Sequence, residues 1–82
     1  MQVTLLFFAA ARDVSGCSKQ LVDLPNSVHD IGEFVSWLAQ KYPGLLPFVP
    51  YLRIAQNEQF ADLTSIIEPD DILAIIPPVS GG

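Results

Sequence analysis

The two most apolar strand-forming runs lie at opposite ends of the chain, and one strong helical segment stands between them. Val3-Thr4-Leu5-Leu6-Phe7-Phe8 comes near the start and Ile72-Leu73-Ala74-Ile75-Ile76 near the end. Runs this rich in β-branched, aliphatic and aromatic residues are expected to be buried strands, and the two most apolar ones are expected at the centre of a sheet. If they lie side by side they must run parallel, because a helix-containing crossover separates them.

The segments in between supply the rest of such a sheet. Ala9 to Gly16 breaks the strand pattern and is long for a hairpin loop, with space for a helical turn. Lys19 to Leu24 is a second strand, stopped by Pro25, and it is expected to pair antiparallel with the first. Ser27-Val28-His29-Asp30 has the spacing of a capping box, with Asp in place of the usual Glu. Val28, Ile31, Val35, Leu38 and Tyr42 then recur at three- and four-residue steps, which predicts an amphipathic helix with Phe34 flanking its apolar stripe. Pro43-Gly44 ends it. Leu45 to Tyr51 contains Pro47 and Pro50 and is not a regular α-helix. Leu52 to Gln56 is a third strand, Asn57-Glu58 a turn and Gln59 to Asp62 a short fourth strand. Thr64 to Ile67 is expected to form one helical turn, and Pro69-Asp70-Asp71 a further turn before the last strand. The order is ββαβββ. It predicts an α+β fold of the β-grasp (ubiquitin-like) kind, a mixed sheet of about five strands on one main helix. Residues 1–76 form the domain and 77–82 a flexible C-terminal tail.

Length and charge narrow the function. A chain of 82 residues makes one domain that buries only about 60–65% of its unfolded surface, so a deep private active site is not expected. A mean hydropathy of +0.38 is high for so small a domain. It implies either a greasy core or apolar surface kept for a partner. The net charge is −5, from four Lys plus Arg against nine Asp plus Glu. Arg12, Lys19, Lys41 and Arg53 are scattered, so the basic face that nucleic acid requires is missing. Cys17 is the only cysteine, which excludes an internal disulfide and fits a reducing, cytoplasmic location. Gln2 opens directly into a strand without a basic leader, and no apolar stretch is long enough to span a membrane.

The close of the sequence carries the chemistry. Gly81-Gly82 has no side chain at either position, so such a terminus can thread a channel that any Cβ would block. Pro77 to Gly82 reach about 20 Å when extended. Fixing six free residues would cost roughly 6–12 kcal/mol, and Pro77-Pro78 lowers that cost because both φ angles are already set. A carboxylate is a poor electrophile until it is activated, for instance as an acyl-adenylate made from ATP. A sulfur nucleophile can then displace AMP and leave a thiocarboxylate, which divides one hard step into two easier ones. A frayed, functionless terminus is the alternative.

Ile76-Pro77-Pro78-Val79-Ser80-Gly81-Gly82 closely resembles the terminal motif of the molybdopterin synthase small subunits, the MoaD family. Phe7-Phe8-Ala9-Ala10-Ala11-Arg12-Asp13, Ser27-Val28, Ile54-Ala55-Gln56-Asn57 and Pro69-Asp70-Asp71-Ile72 are similar to further family segments in the same order. Two departures each remove a glycine from a turn: Asn57-Glu58 stands for Asn-Gly, and Pro69-Asp70-Asp71 for Asp-Gly-Asp. The resemblance implies a sulfur carrier that binds no cofactor and is not an enzyme on its own. ATP is used by a MoeB-type adenylating enzyme to activate the Gly82 carboxylate, and a sulfur donor protein converts it to a thiocarboxylate. The tail then enters the molybdopterin synthase large subunit, which supplies the basic substrate pocket. There the sulfur passes to cyclic pyranopterin monophosphate for molybdenum cofactor biosynthesis. The implied assembly is a heterotetramer. Thiazole-synthesis carriers and ubiquitin-like protein modifiers share the diglycine end and remain alternatives; Pro77-Pro78-Val79-Ser80 speaks against the former.

One helix covers one face of a sheet, so apolar residues on the other face are expected to dock a partner near the tail. Alternation leaves two sets open, Phe7 or Phe8 with Ile75 or Ile76. Pro77, Pro78, Val79, Ser80 and Gly81 complete the candidate partner contact. An alternative is that Leu45 to Tyr51 folds over this face. Cys17 has no basic or histidine neighbour in sequence and is read as an ordinary loop thiol. His29 lacks the companions a metal needs. Trp37 is read as packing, Asp70-Asp71 as a turn pair, Ser80 as a small spacer, and Arg12 as a partner contact or a surface ion pair.

Overall fold

β1 (Gln2–Phe7) and β5 (Ile72–Ile76) run parallel at the middle of a five-stranded sheet, with Thr4 opposite Ile72 and Phe7 opposite Ile75. The computed structural model describes residues 1–78. β2 (Lys19–Asp23) pairs antiparallel with β1, β3 (Arg53–Gln56) pairs antiparallel with β5, and β4 (Gln59–Phe60) pairs antiparallel with β3. The order across the sheet is β2-β1-β5-β3-β4. The ββαβββ reading and the central, parallel placement of the first and last strands therefore match the architecture. Among the described residues no helix is long and apolar enough to cross a membrane.

The loop after β1 is more than a turn. It forms α1 (Ala9–Ser15), closed by Gly16 at φ 77°, whose N–H donates to Arg12 O at 2.9 Å. Glycine adopts this left-handed cap without a Cβ penalty.

The main helix, α2 (Ile31–Lys41), begins three residues later than the Ser27 box predicts. Asp30 is the N-cap. Its carboxylate accepts from Glu33 N at 2.8 Å, while Glu33 Oε1 accepts from Asp30 N at 3.3 Å and His29 N at 2.9 Å. The longer Glu side chain reaches back to the cap, which is why Asp30–Glu33 outcompetes Ser27–Asp30. The remaining N–H groups of the first turn bond to the segment before Ile67: Ile31 N donates to Ser65 O at 3.0 Å and Gly32 N to Leu63 O at 2.8 Å. Thr64 to Ile67 is accordingly no helical turn. Ile66 forms an antiparallel bridge with Asp30, and the segment is held extended across the start of α2.

Ile31, Phe34 and Leu38 are the buried stripe of α2, so Phe34 is central to it, while Val35 and Tyr42 lie half-buried. They pack on Val3, Leu5 and Phe7 of β1 and on Leu73 and Ile75 of β5. Trp37 stacks on Phe34 at 6.0 Å between ring centroids, and Tyr42 meets Phe7 edge-on at 5.4 Å. Pro43–Tyr51 winds as a 3-10 segment that accommodates Pro47 and Pro50. Leu45 from this segment is fully buried in the core beside α2.

Candidate functional site

The 3-10 segment packs on the α2 side of the sheet and leaves the opposite face open. The strand registers then decide which apolar set that face presents. Leu6 lies opposite Ala74, Ala74 opposite Ala55, and Ala55 opposite Phe60. Side chains in register share a face, so Leu6, Phe8, Ala55, Phe60, Ile72, Ala74 and Ile76 all belong to the open one. Leu6, Phe8, Ala55, Ile72, Ala74 and Ile76, with Asn57 and Glu58 at one end, line a groove of about 380 Å3. Phe8 is 48% and Ile72 44% exposed.

Of the residues expected to contact a partner, Phe8 and Ile76 lie on this groove. Phe7 and Ile75 do not. Both are buried under α2, since they occupy the alternate phase of their strands. Leu6 shares the strand phase of Phe8, and Ile72 and Ala74 that of Ile76, while Ala55 and Phe60 are open-face residues that sequence reasoning passed over. Thr4 carried a usable signal: it is the one polar residue among Val3 to Phe8, and it shares its phase with Leu6 and Phe8.

Basic and acidic groups rim the apolar surface. The Arg53 guanidinium stacks over the Phe60 ring at 3.9 Å from its centroid, a contact that holds the cation beside exposed aromatic surface. Lys19 lies opposite Leu6 on the β2 side.

Behind the groove, Asp71 is a buried polar hub and not simply a turn residue. Its carboxylate accepts from Gln56 Nε2 at 2.7 Å, Asn57 Nδ2 at 2.9 Å and Glu68 N at 2.9 Å. Burial pushes this carboxyl up, but the hydrogen bonds from Gln56, Glu68 and Asn57 outweigh it and hold the carboxyl below its ordinary value of 3.8. Asn57 in turn accepts from Ile72 N at 2.9 Å through Oδ1 and donates its own N–H to Ile72 O at 2.8 Å. The β3–β4 turn is thereby fastened to the first residue of β5. Its two residues, Asn57 at φ 52° and Glu58 at φ 72°, are both left-handed, as is Asp70 at φ 68°. The positions where a glycine is missing from the resembled motif keep the glycine conformation.

β5 delivers the chain out of the centre of the sheet. Pro77 is buried and Pro78 exposed. Val79, Ser80, Gly81 and Gly82, the rest of the expected tail, lie outside the described residues.

Other singled-out residues are placed without a site around them. The Cys17 thiol is half-buried and donates to Gln20 Oε1 at 3.4 Å, which also accepts from Tyr42 Oη at 3.1 Å. Burial, and secondarily Cys17, push the Tyr42 phenol above 10.0. His29 is exposed, with Nδ1 3.4 Å from Glu33 Oε1. Arg12 is exposed on α1. Among the described residues no group of three His, Cys, Asp or Glu is arranged to hold a metal.

A ThiS family model matches residues 5–82. The chain belongs to the ThiS family. Among relatives of this ThiS-family chain, the molybdopterin synthase sulfur carrier subunit of Drosophila yakuba is 36% identical, over 100% of this chain and 92% of its own. Among solved structures, SAMP1 from Haloferax volcanii superposes with a TM-score of 0.83 at 26% identity, covering 100% of both chains. The complex of subunits 1 and 2 of the molybdopterin-converting factor from Helicobacter pylori includes a chain of the same fold. That chain matches at a TM-score of 0.67 and 24% identity, again over 100% of both. The ThiS-family assignment and these likenesses agree with the ubiquitin-like β-grasp fold predicted from the element order.

Proposed function

We propose that this protein is the sulfur carrier subunit of a molybdopterin synthase. The observation that carries the reading is the 36% identity to a sulfur carrier subunit of that name over the full length of this chain. The terminal Pro77-Pro78-Val79-Ser80-Gly81-Gly82 motif and the open apolar face that ends at Ile76 support the reading.

In this reading residues 1–76 are a docking platform and 77–82 the working tail. A MoeB-type adenylating enzyme joins the Gly82 carboxylate to AMP from ATP, releasing pyrophosphate. Sulfur delivered by a donor protein attacks the acyl carbon, AMP departs, and a thiocarboxylate remains. The groove of Leu6, Phe8, Ile72, Ala74 and Ile76 seats the large subunit. The stiff Pro77-Pro78 base aims the slim tip through that subunit's channel to cyclic pyranopterin monophosphate. A dithiolene needs two sulfurs, so two loaded carriers, or one carrier reloaded, serve each product molecule. The anionic substrate meets its basic contacts on the large subunit, in keeping with the net charge of −5 here. The small subunit contributes the sulfur and its delivery, and the large subunit contributes the catalytic groups. The assembly is a cytoplasmic heterotetramer without nucleic acid or membrane.

Reconstitution tests this. Sulfur-loaded protein, mixed with its matching large subunit and cyclic pyranopterin monophosphate, is expected to yield the dithiolene product while the carrier returns to the carboxylate. Failure to transfer, where the same large subunit accepts sulfur from another loaded carrier, would contradict the reading.

A further inference from the structure

The outer edge of β2 carries a self-complementary pattern of backbone and charge. Leu24 N donates to Met1 O at 2.8 Å, the Met1 ammonium donates to Leu24 O at 3.1 Å, and Phe7 N donates to Ser18 O at 2.9 Å. With Val3 opposite Val22 and Leu5 opposite Gln20, the alternation of an antiparallel ladder makes 18, 20, 22 and 24 the positions bonded inward to β1. The N–H and C=O groups of Lys19, Leu21 and Asp23 therefore point outward, and among the described residues they have no backbone partner. Among the described residues β2 packs on β1 and no helix is laid along its free edge. Leu21 is 57% exposed at the middle of that edge. The opposite edge, β4, has two residues and is too short to template a strand.

We propose that β2 pairs antiparallel with β2 of a second copy of this chain, centred on Leu21, to form a two-fold symmetric dimer with a continuous sheet. In that register Leu21 faces its own counterpart, Lys19 lies opposite Asp23, and Asp23 opposite Lys19. The outward backbone groups sit at the three positions this pairing bonds, so their parity agrees with the two-fold. Opposite charges meet at both ends, which an antiparallel pair rewards, whereas a one-residue slip would break the pattern and flip the side-chain faces. Asp23 already lies 3.1 Å from the Met1 ammonium through Oδ1, and its 86% exposed side chain remains available across the edge. The two-fold runs perpendicular to the sheet, so the open apolar faces of both copies lie on one side and the two β5 ends leave in opposite directions. The pairing thus obstructs neither the groove nor the end of β5, and it is independent of the carrier chemistry. An interface of one strand is small, so the dimer is weak and concentration-dependent.

Sedimentation and amide chemical shifts of the full chain, followed from micromolar to millimolar concentration, test the proposal. The expected result is a monomer–dimer equilibrium with concentration-dependent shifts centred on Lys19–Asp23. Lys19→Asp and Asp23→Lys are each expected to weaken it about tenfold, and the double exchange to restore it. Circular dichroism on each variant verifies the fold. A monomer at every concentration would overturn the proposal. A dimer unmoved by the single reversals, or not restored by the exchange, would overturn it too.

Discussion

Asp71 shows how much one side chain does at the residue scale. It gathers Gln56, Asn57 and the Glu68 N–H around a single buried carboxylate. Asp71→Ala would strand these donors, and a loss of about 1–3 kcal/mol is expected in urea unfolding. The pH dependence has a definite sign. The folded carboxyl lies below its ordinary 3.8, so its stabilisation is complete above that value and is lost as pH falls through the lower folded one. Asp71→Asn should flatten the acid limb of the stability curve; an unchanged limb would show that other carboxylates govern it. Glu58, at φ 72°, holds a conformation that costs a side-chain-bearing residue roughly 1–2 kcal/mol. Glu58→Gly loses more backbone entropy on folding, so a net gain of about 0.5–1 kcal/mol is expected by thermal unfolding. Sequence located both turns but not the Asp71 network, because its side-chain donors, Asn57 and Gln56, are 14 and 15 residues away and no local pattern encodes that meeting.

At the scale of elements, the strands and the main helix were legible because hydrophobic periodicity sets them locally. β5 begins and ends where its apolar run does. The start of α2 was not, since Ser27 and Asp30 each offer a capping oxygen and only the reach of Glu33 separates them. Asp30→Ala is expected to cost about 1 kcal/mol, measured by urea unfolding, whereas Ser27→Ala should be close to silent. The sheet face was ambiguous for a different reason: apart from Thr4, both phases of the apolar runs in β1 and β5 are apolar, so the choice waited on which side α2 and the 3-10 segment took. With the phase settled, Phe8→Asp should shift stability by about 0.5 kcal/mol or less, as an exposed substitution, yet abolish co-purification with the large subunit. Retained binding would remove the groove from the account.

On the scale of the whole molecule, a small domain with one main helix has one covered sheet face and one open face, and its central strand leads into the C-terminal segment. The fold supplies a platform and a direction; the proposed chemistry belongs to the last residue. Nothing in the core packing announces that chemistry, and it is proposed only because Pro77-Pro78-Val79-Ser80-Gly81-Gly82 is specific enough to resemble a known motif. The decisive measurement is the intact and fragment mass of the protein after co-expression with a MoeB-type adenylating enzyme and a sulfur donor protein. Exchange of one oxygen for one sulfur, mapped to Gly82, is the predicted result. An unchanged mass, under conditions that load another carrier, would contradict the central claim.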